Sequence, residues 1–487
     1  MDNCGDTGPT RSSTMHAAAS RATNMISPTF ISELAAIVGQ PHCLTAPEDL
    51  LCYAYDATRI EGRPDAVVQP ATTDEVSRIL RLANNEGIPV TPRGAGSGLT
   101  GGAVAMEGGI VLSTERMRGM GAIDRGNLLL TVQPGVITGD IHKYVESQGL
   151  FYPPDPSSSA FCTIGGNVAE NAGGPRALKY GVTADYVKKL EAVLPSGEVI
   201  EVGTANAKGV VGYDLLHLLV GSEGTLAVVT GITLRLIPKP PEIGTLTAFF
   251  RDEDTAATLV ARVFDAGIIP RAVEFMDRAA LAVAGDTAFI PQGGRAALII
   301  ETDGKNGEAE REMDAIRLLC EEAGALEIRR ARDNAERESL WKLRKNLSQA
   351  MYRIAPSKIN EDIVVPRTRL AEMVAFLRET ANARNVKIAA FGHAGDGNIH
   401  VNVMADRRDK EEYERALEVV GEVFRKTVEL GGTISGEHGV GLTKLPYVGM
   451  ELGPEVARLS RGIKALFDPK GILNPGKAIP GEQGGRR

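Results

Sequence analysis

Apolar and polar positions change period several times along this chain. Residues 30–38 carry apolar side chains at helical spacing, and the strand-like run 66–69 leads into Thr72-Thr73-Asp74-Glu75. Those four residues form a capping-box pattern before the helical period of Val76, Ile79, Leu80, Leu82 and Ala83. A short strand is predicted over 88–91. From Pro92 to about Pro238, β-rich runs at 109–113, 128–133, 189–194 and 225–236 alternate with glycine-dense loops, which predicts an α+β unit whose ligand is held by backbone. Pro238-Lys239-Pro240-Pro241 is the clearest boundary, because repeated prolines stop both helix and ladder. Beyond it, strand, helix and strand recur twice (245–250, 255–266, 272–275, then 296–301, 308–323, 326–330), the pattern of a sheet covered by helices. Charged stretches at 406–429 and 454–467 read as solvated helix faces. The expected organisation is a disordered tail at 1–28, a ligand-binding domain at 29–238, an α+β domain at 242–430, and a helical C-terminal portion at 431–487 that completes the site.

Composition narrows the class. A chain of 487 residues, 43% hydrophobic and 24% charged, is an ordinary globular protein of more than one packed unit. Lys+Arg of 54 against Asp+Glu of 62 gives a net charge of -8, the wrong sign for a general nucleic-acid binder. No run approaches the roughly 18 to 20 apolar residues of a transmembrane helix, so membrane association is expected to be peripheral at most. Cys4, Cys43, Cys52, Cys162 and Cys320 are scattered without a C-x-x-C pair, which argues against a disulfide framework, a cysteine zinc site and a cysteine-held iron–sulfur cluster. That usage suits a reducing, cytoplasmic compartment, or a mitochondrial one in a eukaryote. The first 28 residues lack both an apolar core and an arginine-rich face, so a disordered tail is expected there rather than a transit peptide.

The loop Pro92-Arg93-Gly94-Ala95-Gly96-Ser97-Gly98-Leu99-Thr100-Gly101-Gly102 follows a predicted strand. Gly96, Gly98 and Gly101 fit G-x-G-x-x-G, and Glu115 stands near the distance of a ribose-binding acid, so an NAD-binding Rossmann unit has to be weighed. Against it, a parallel crossover usually needs a helix, and residues 103–108 offer too little. The loop also suits an anion nest, in which glycine backbones present N–H groups to a pyrophosphate, or a tight turn without ligand. A second block runs from Tyr152-Pro153-Pro154-Asp155 through Thr163, Gly165, Gly166, Asn167, Asn171, Gly173 and Gly174 to Tyr180-Gly181, rich in donors for a flat, polar, multi-ring ligand. A third, Gly221-Ser222-Glu223-Gly224-Thr225, precedes the last strand of the unit.

With Asn474-Pro475-Gly476 near the C-terminus, these segments resemble the flavoprotein family of vanillyl-alcohol oxidase and p-cresol methylhydroxylase. Within it they are most similar to the branch of D-lactate dehydrogenase, the glycolate oxidase flavoprotein subunit and D-2-hydroxyglutarate dehydrogenase. The resemblance spans about residues 30–480. It implies a two-part FAD-binding domain of the p-cresol methylhydroxylase type and an α+β substrate domain. The FAD pyrophosphate would lie on the first loop, with Pro154, Asp155, Tyr180, Glu223, Gly224 and Asn474 among the cofactor contacts. Some relatives tether flavin through a loop histidine; the first loop has none, so non-covalent FAD is expected.

Three of seven histidines fall between residues 393 and 438. The β-rich runs 387–393 and 399–404 flank Ala394-Gly395-Asp396-Gly397-Asn398, turn chemistry that predicts a hairpin bringing His393 and His400 together. By the period of two, His400 and Asn402 share a face while Val401 and Val403 turn to a core. Ser435-Gly436-Glu437-His438-Gly439 exposes an acid beside a histidine. Two histidines and a carboxylate can hold zinc, with manganese or iron(II) as other choices, or the histidines can simply bind a loop. The family resemblance favours the metal: it implies His393, His400 and Glu437 as ligands and His438 as general base. It also implies a substrate-binding role for Arg344 on a helix, Ser348 one turn on, Lys358 and Asn402. Without that resemblance Arg344 reads as a surface arginine. The implied activity is metal-assisted oxidation of a D-2-hydroxy acid, D-2-hydroxyglutarate, D-malate or D-lactate, with hydride passing to flavin. The other readings are a glycolate oxidase-like subunit of a larger complex, an NAD-dependent dehydrogenase, and a non-catalytic nucleotide- or metal-binding module. Electrons would leave to an electron-transfer flavoprotein, a quinone or oxygen, and a homo-oligomer is expected.

Overall fold

The computed structural model describes residues 26–284 and 289–481. The expected tail therefore lies almost wholly outside the described residues; Ser27 already caps the first helix, Pro28–Val38, by accepting the N–H of Phe30.

Three sheets carry the α+β architecture. The first has the order Cys43–Leu44, Ala66–Val68, Ile110–Ser113, Val90–Arg93, and its core includes Ile472 and Leu473 returning from the C-terminal segment. Helix Thr73–Glu86 packs on it, started by Thr72 Oγ1 accepting from Glu75 N and ended at Gly87, whose φ of 68° only a residue without Cβ adopts cheaply. Val90–Arg93 runs parallel to Ile110–Ser113. The crossover is the glycine loop itself, without any helix, so the shortness of residues 103–108 does not prevent parallel pairing here. The second sheet, Leu129–Val132, Val228–Arg235, Val187–Val193, Val199–Gly203, is wholly antiparallel.

Beyond the prolines stands a seven-stranded antiparallel sheet. Its order is Glu327–Arg330, Glu242–Phe250, Ala296–Gly304, Ala272–Met276, Lys387–Gly392, Asn398–Ala405, Ser357–Val364. Helices Glu253–Asp265, Glu308–Glu322, Leu370–Arg384 and Lys410–Glu429 bury their apolar stripes against one face, around Phe275, Ile300, Val401 and Val403. The opposite face receives Leu343, Leu347 and Met351 beside Phe391 and Met404. Here the expected continuous helix through Ser348 is broken: Asn334–Lys345 ends at Asn346 and a separate turn, Leu347–Ala350, follows. Residues 431–481 hold one α-helix, Pro454–Phe467, and a 3-10 helix, Leu445–Met450, joined by irregular segments.

Candidate active site

Period-two alternation builds the site on the second face of the large sheet. Phe391 pairs opposite His400, which pairs on its other side with Asp362; Asn402 lies opposite Asn360, and Met404 opposite Lys358. Val401 and Val403 enter the helix-covered core, so His400, Asn402, Asp362, Asn360 and Lys358 share the other face. The hairpin turn is tight because Gly397, at φ 83°, lies where a Cβ would sit 2.0 Å from Val365 O.

His393 Nε2 lies 3.2 Å and His400 Nε2 3.5 Å from the same oxygen, Glu437 Oε1. His438 stacks on His400 at 5.3 Å and 12°. Behind His393, Nδ1 is 2.5 Å from Glu274 Oε1, whose other oxygen accepts from Arg344 Nε at 2.6 Å. Burial alone would lower His393, but Glu274 and Glu437 hold it well above the usual imidazole range. Burial would likewise raise Glu274, yet His393 and Arg344 bring it down to about 2. Burial, then the neighbouring His393 and His438, keeps His400 well below its usual value. His438 is lowered too, by burial against the opposing pull of Asp362, and so is neutral at neutral pH.

Asp362, His400, Glu437 and His438 each offer a donor atom within 4.8 Å of the others, a second possible set overlapping the first. Asp362 is the weaker ligand of the two sets. Its Oδ2 already accepts from the amides of Gly436, Glu437 and His438, and its Oδ1 from Asn398 Nδ2. His393, with Nδ1 fixed by a carboxylate and Nε2 facing Glu437, has the arrangement of an oriented metal-binding histidine. The residues present thus fit a divalent ion held by His393, His400 and Glu437.

The glycine blocks meet this cluster from the other side. A Cβ on Gly173 would lie 3.1 Å from Glu437 Oε2, one on Gly439 2.2 Å from Glu170 Oε2, and one on Gly441 2.3 Å from Thr100 O. Among the described residues, the backbone N–H groups of Gly94, Ala95, Gly96, Ser97 and Gly98 have no acceptor within the protein, and these residues are at least partly exposed. Five free donors in succession fit a pyrophosphate.

Several residues expected at the cofactor also hold the framework. Arg93 is buried, turned back over Tyr53 and against Gly96. Thr100 donates to His438 O. Asn167 bonds Thr138 and Cys162, while Asn171, at φ 53°, ends a helix and accepts from Ala184 N. Thr163 Oγ1 accepts from Gly166 N and would clash with any Cβ on Gly94, and Gly165 closes on Pro134. Pro154 O is 2.8 Å from His142 Nε2, and Gly224 packs on Pro92. Asp155 pairs with Arg176, and Gly174 lies against Asp155 O. Tyr180 donates to Asp303 and Gly181 lies against Asp185. Glu223 accepts from Val440 and Gly441, and Asn474 donates to the carbonyls of Gly102 and Glu223.

The substrate-side expectations divide similarly. Asn402 is fully buried, with its amide shared among Asn360, Ala389 O and His400 O, so it braces the sheet rather than facing open space. Arg344 lies over the ring of Phe391 with Nε on Glu274; Nη1 and Nη2 have no hydrogen-bond partner among the described residues. Lys358 Nζ donates to Ser348 Oγ at 2.8 Å, and burial, then nearby Arg59, lowers it to about 8.

Known proteins match the chain over most of its length. The model for "FAD linked oxidases, C-terminal domain" matches residues 239–478, and that for "FAD binding domain" matches residues 64–203. The chain is 47% identical to glycolate oxidase subunit GlcD of Bacillus subtilis (strain 168), over 88% of this chain and 92% of that one. It is 37% identical to a D-lactate dehydrogenase of Anaerostipes hadrus (87% and 92% covered). It is 36% identical to a D-2-hydroxyglutarate dehydrogenase of Xanthomonas citri pv. viticola (89% and 93%). The structure of p-cresol methylhydroxylase with substrate bound superimposes with a TM-score of 0.77 at 18% identity, covering 93% of this chain and 96% of that one. The matched FAD-binding model replaces the NAD-binding Rossmann reading of the first loop.

Proposed function

The chain belongs to the FAD-linked oxidase family, and from that premise we propose that it oxidises a small D-2-hydroxy acid to the 2-oxo acid with non-covalent FAD and a divalent ion, zinc by its donor set. The observation that carries this reading is the convergence of His393 and His400 on one oxygen of Glu437, beside Gly173 of a glycine block. When bound, FAD supplies the two-electron acceptor and the ion a Lewis acid that lowers the pKa of the 2-hydroxyl. His438, neutral and stacked on His400, takes the hydroxyl proton as general base. Arg344, its Nε fixed by Glu274, offers its two remaining nitrogens to a carboxylate.

Lys358, Ser348 and Arg59 hold the far carboxylate of a dicarboxylate such as D-2-hydroxyglutarate or D-malate. Neither Lys358 nor Arg59 has an acidic partner among the described residues; both lie over the ring of Tyr352, and burial works against Lys358 keeping its charge unpaired. The 47% identity to a glycolate oxidase subunit favours a second reading, a short-chain acid such as glycolate or D-lactate oxidised within a larger complex. Reduced flavin would pass its electrons to a quinone or an electron-transfer flavoprotein.

The test is anaerobic mixing of the purified, FAD-loaded protein with D-2-hydroxyglutarate, D-malate, D-lactate, glycolate and the L-enantiomers, following loss of flavin colour. Reduction by a D-2-hydroxy acid, abolished by a chelator and restored by a divalent ion, is expected. A flavin that none of these acids reduces would refute the proposal.

A further inference from the structure

Asp362 is a fully buried carboxylate among the reactive groups, and the chemistry proposed above gives it no task. Its position follows from register: strand Ser357–Val364 sets it directly opposite His400. Its Oδ2 accepts from three consecutive amides, Gly436 N at 2.9 Å, Glu437 N at 2.8 Å and His438 N at 2.9 Å. Its Oδ1 accepts from Asn398 Nδ2 at 2.5 Å, and Lys444 Nζ approaches Oδ2 to 3.6 Å. Three amides on one oxygen fix the direction in which Glu437 and His438 leave the backbone.

The same carboxylate faces two imidazoles. His400 Nδ1 is 3.9 Å from Oδ1, and His438 Nδ1 is 3.9 Å from Oδ2. Both Nδ1 atoms are buried and have no hydrogen-bond partner among the described residues. A neutral imidazole carries one N–H and one lone pair, and beside a buried anion the lone pair is the unfavourable choice. The opposite nitrogen of His400, Nε2, lies 3.5 Å from Glu437 Oε1, nearer to that carboxylate than Nδ1 is to Asp362, so Asp362 does not decide the tautomer of His400. His438 has no carboxylate other than Asp362 within 4.0 Å of its ring nitrogens among the described residues.

We propose that Asp362 is the positioning residue of this site: it holds the Glu437–His438 segment by its amides and sets His438 in the Nδ1–H tautomer, leaving its Nε2 bare. A bare Nε2 is what a proton acceptor needs at position 438. One buried anion therefore holds the segment and prepares the imidazole it carries. The consequence for metal, through Glu437, rests on the function proposed above; the tautomer does not.

The experiment uses full-length protein labelled with 15N-histidine, loaded with FAD and free of metal, at a pH where the His438 ring is neutral. In the wild type, ring-nitrogen shifts should report Nδ1–H for His438, assigned with His438→Gln. Nε2–H at His438 in the wild type overturns the proposal, whatever the variants do. In Asp362→Asn, which keeps an acceptor oxygen for the amides, the tautomer of His438 should become mixed. Divalent-metal affinity should fall by about 10- to 100-fold, as for loss of an outer partner of a ligand. The rate of flavin reduction should fall with little change in KM. The wild-type tautomer and metal affinity in a folded, FAD-containing Asp362→Asn protein would also overturn it. If the tautomer is as stated but no hydroxy acid is oxidised, the proposed function fails and this assignment stands.

Discussion

Replacing Glu274 by Gln tests the connection between the histidine cluster and Arg344. The side chain is wholly buried and serves two cations, His393 at 2.5 Å and Arg344 at 2.6 Å. Burial opposes its ionisation, yet the two partners bring it from 4.5 to about 2. A drop of that size corresponds to roughly 3 kcal/mol at about 1.4 kcal/mol per pKa unit. Because the folded value is depressed, the stabilisation is present above the unfolded value near 4.5 and is lost as pH falls through about 2. The wild-type advantage over Glu274→Gln should therefore be flat from about pH 6 to about pH 8, provided His393 keeps its proton there. Stranding a buried guanidinium costs on the order of 3 to 5 kcal/mol, which agrees with the linkage figure. The variant should unfold at clearly lower urea concentration. It should also bind divalent metal about 10- to 100-fold more weakly, because His393 Nδ1 loses the carboxylate that orients it. A folded Glu274→Gln protein within about 0.5 kcal/mol of wild type, the range of an ordinary surface substitution, and with unchanged metal affinity would refute the argument.

Other substitutions separate the remaining roles. His393→Ala and His400→Ala should lose metal but keep FAD, measured by metal analysis and flavin absorbance. In the wild type, metal must displace the proton that Glu274 and Glu437 hold on His393, so affinity should rise by up to about tenfold per pH unit across the neutral range. His438→Ala should retain both groups and slow single-turnover flavin reduction by roughly 100- to 10,000-fold, as for a lost general base. Lys358→Ala should lower kcat/KM for D-2-hydroxyglutarate and D-malate by about tenfold or more, while D-lactate and glycolate change little. In the wild type that dicarboxylate preference should fade as pH rises through about 8, where Lys358 loses its proton.

The hairpin around His393 and His400 was legible because alternation and turn residues act over a dozen positions. Asp362 and Glu274 were not, although they stand beside the same histidines. Asp362 reaches His400 through a strand register 38 residues away, and Glu274 reaches His393 across 119. Each left a faint signal, since Ala272–Met276 and the run 361–365 carry acids among side chains that are otherwise core material. A buried acid has to be paired, but its partner cannot be named before the sheet order is known. In the glycine loops a second use of the polar side chains was hidden: Asn167, Asn171, Thr163 and Asp155, expected as ligand contacts, also bond within the protein and fold the loops. The parallel pairing of Val90–Arg93 with Ile110–Ser113 was hidden because its crossover contains no helix.

The joint between cofactor loops and base is the last place where structure makes a demand. Glu223 stands at φ 51° at the third glycine block, and its two oxygens accept from Val440 N at 2.8 Å and Gly441 N at 2.7 Å. Those amides follow His438, and Thr100 of the first block donates to His438 O, so both blocks hold the base segment. Two charge-assisted bonds are worth about 1.5 to 3 kcal/mol each, whereas removing Glu223 also relieves its repulsion of buried Glu170. The bonds outweigh the relief where Glu223 is ionised; burial raises its pKa against the two amides that favour the anion, so the effect should grow toward high pH. Glu223→Ala should therefore speed amide exchange at residues 439–441 by about tenfold or more and slow flavin reduction, with smaller effect on KM. Ala keeps the left-handed strain of the position and Gly removes it. Equal losses in Glu223→Ala and Glu223→Gly would assign the effect to the carboxylate. Full activity and unchanged exchange in Glu223→Gly would show that the segment around His438 is held without it.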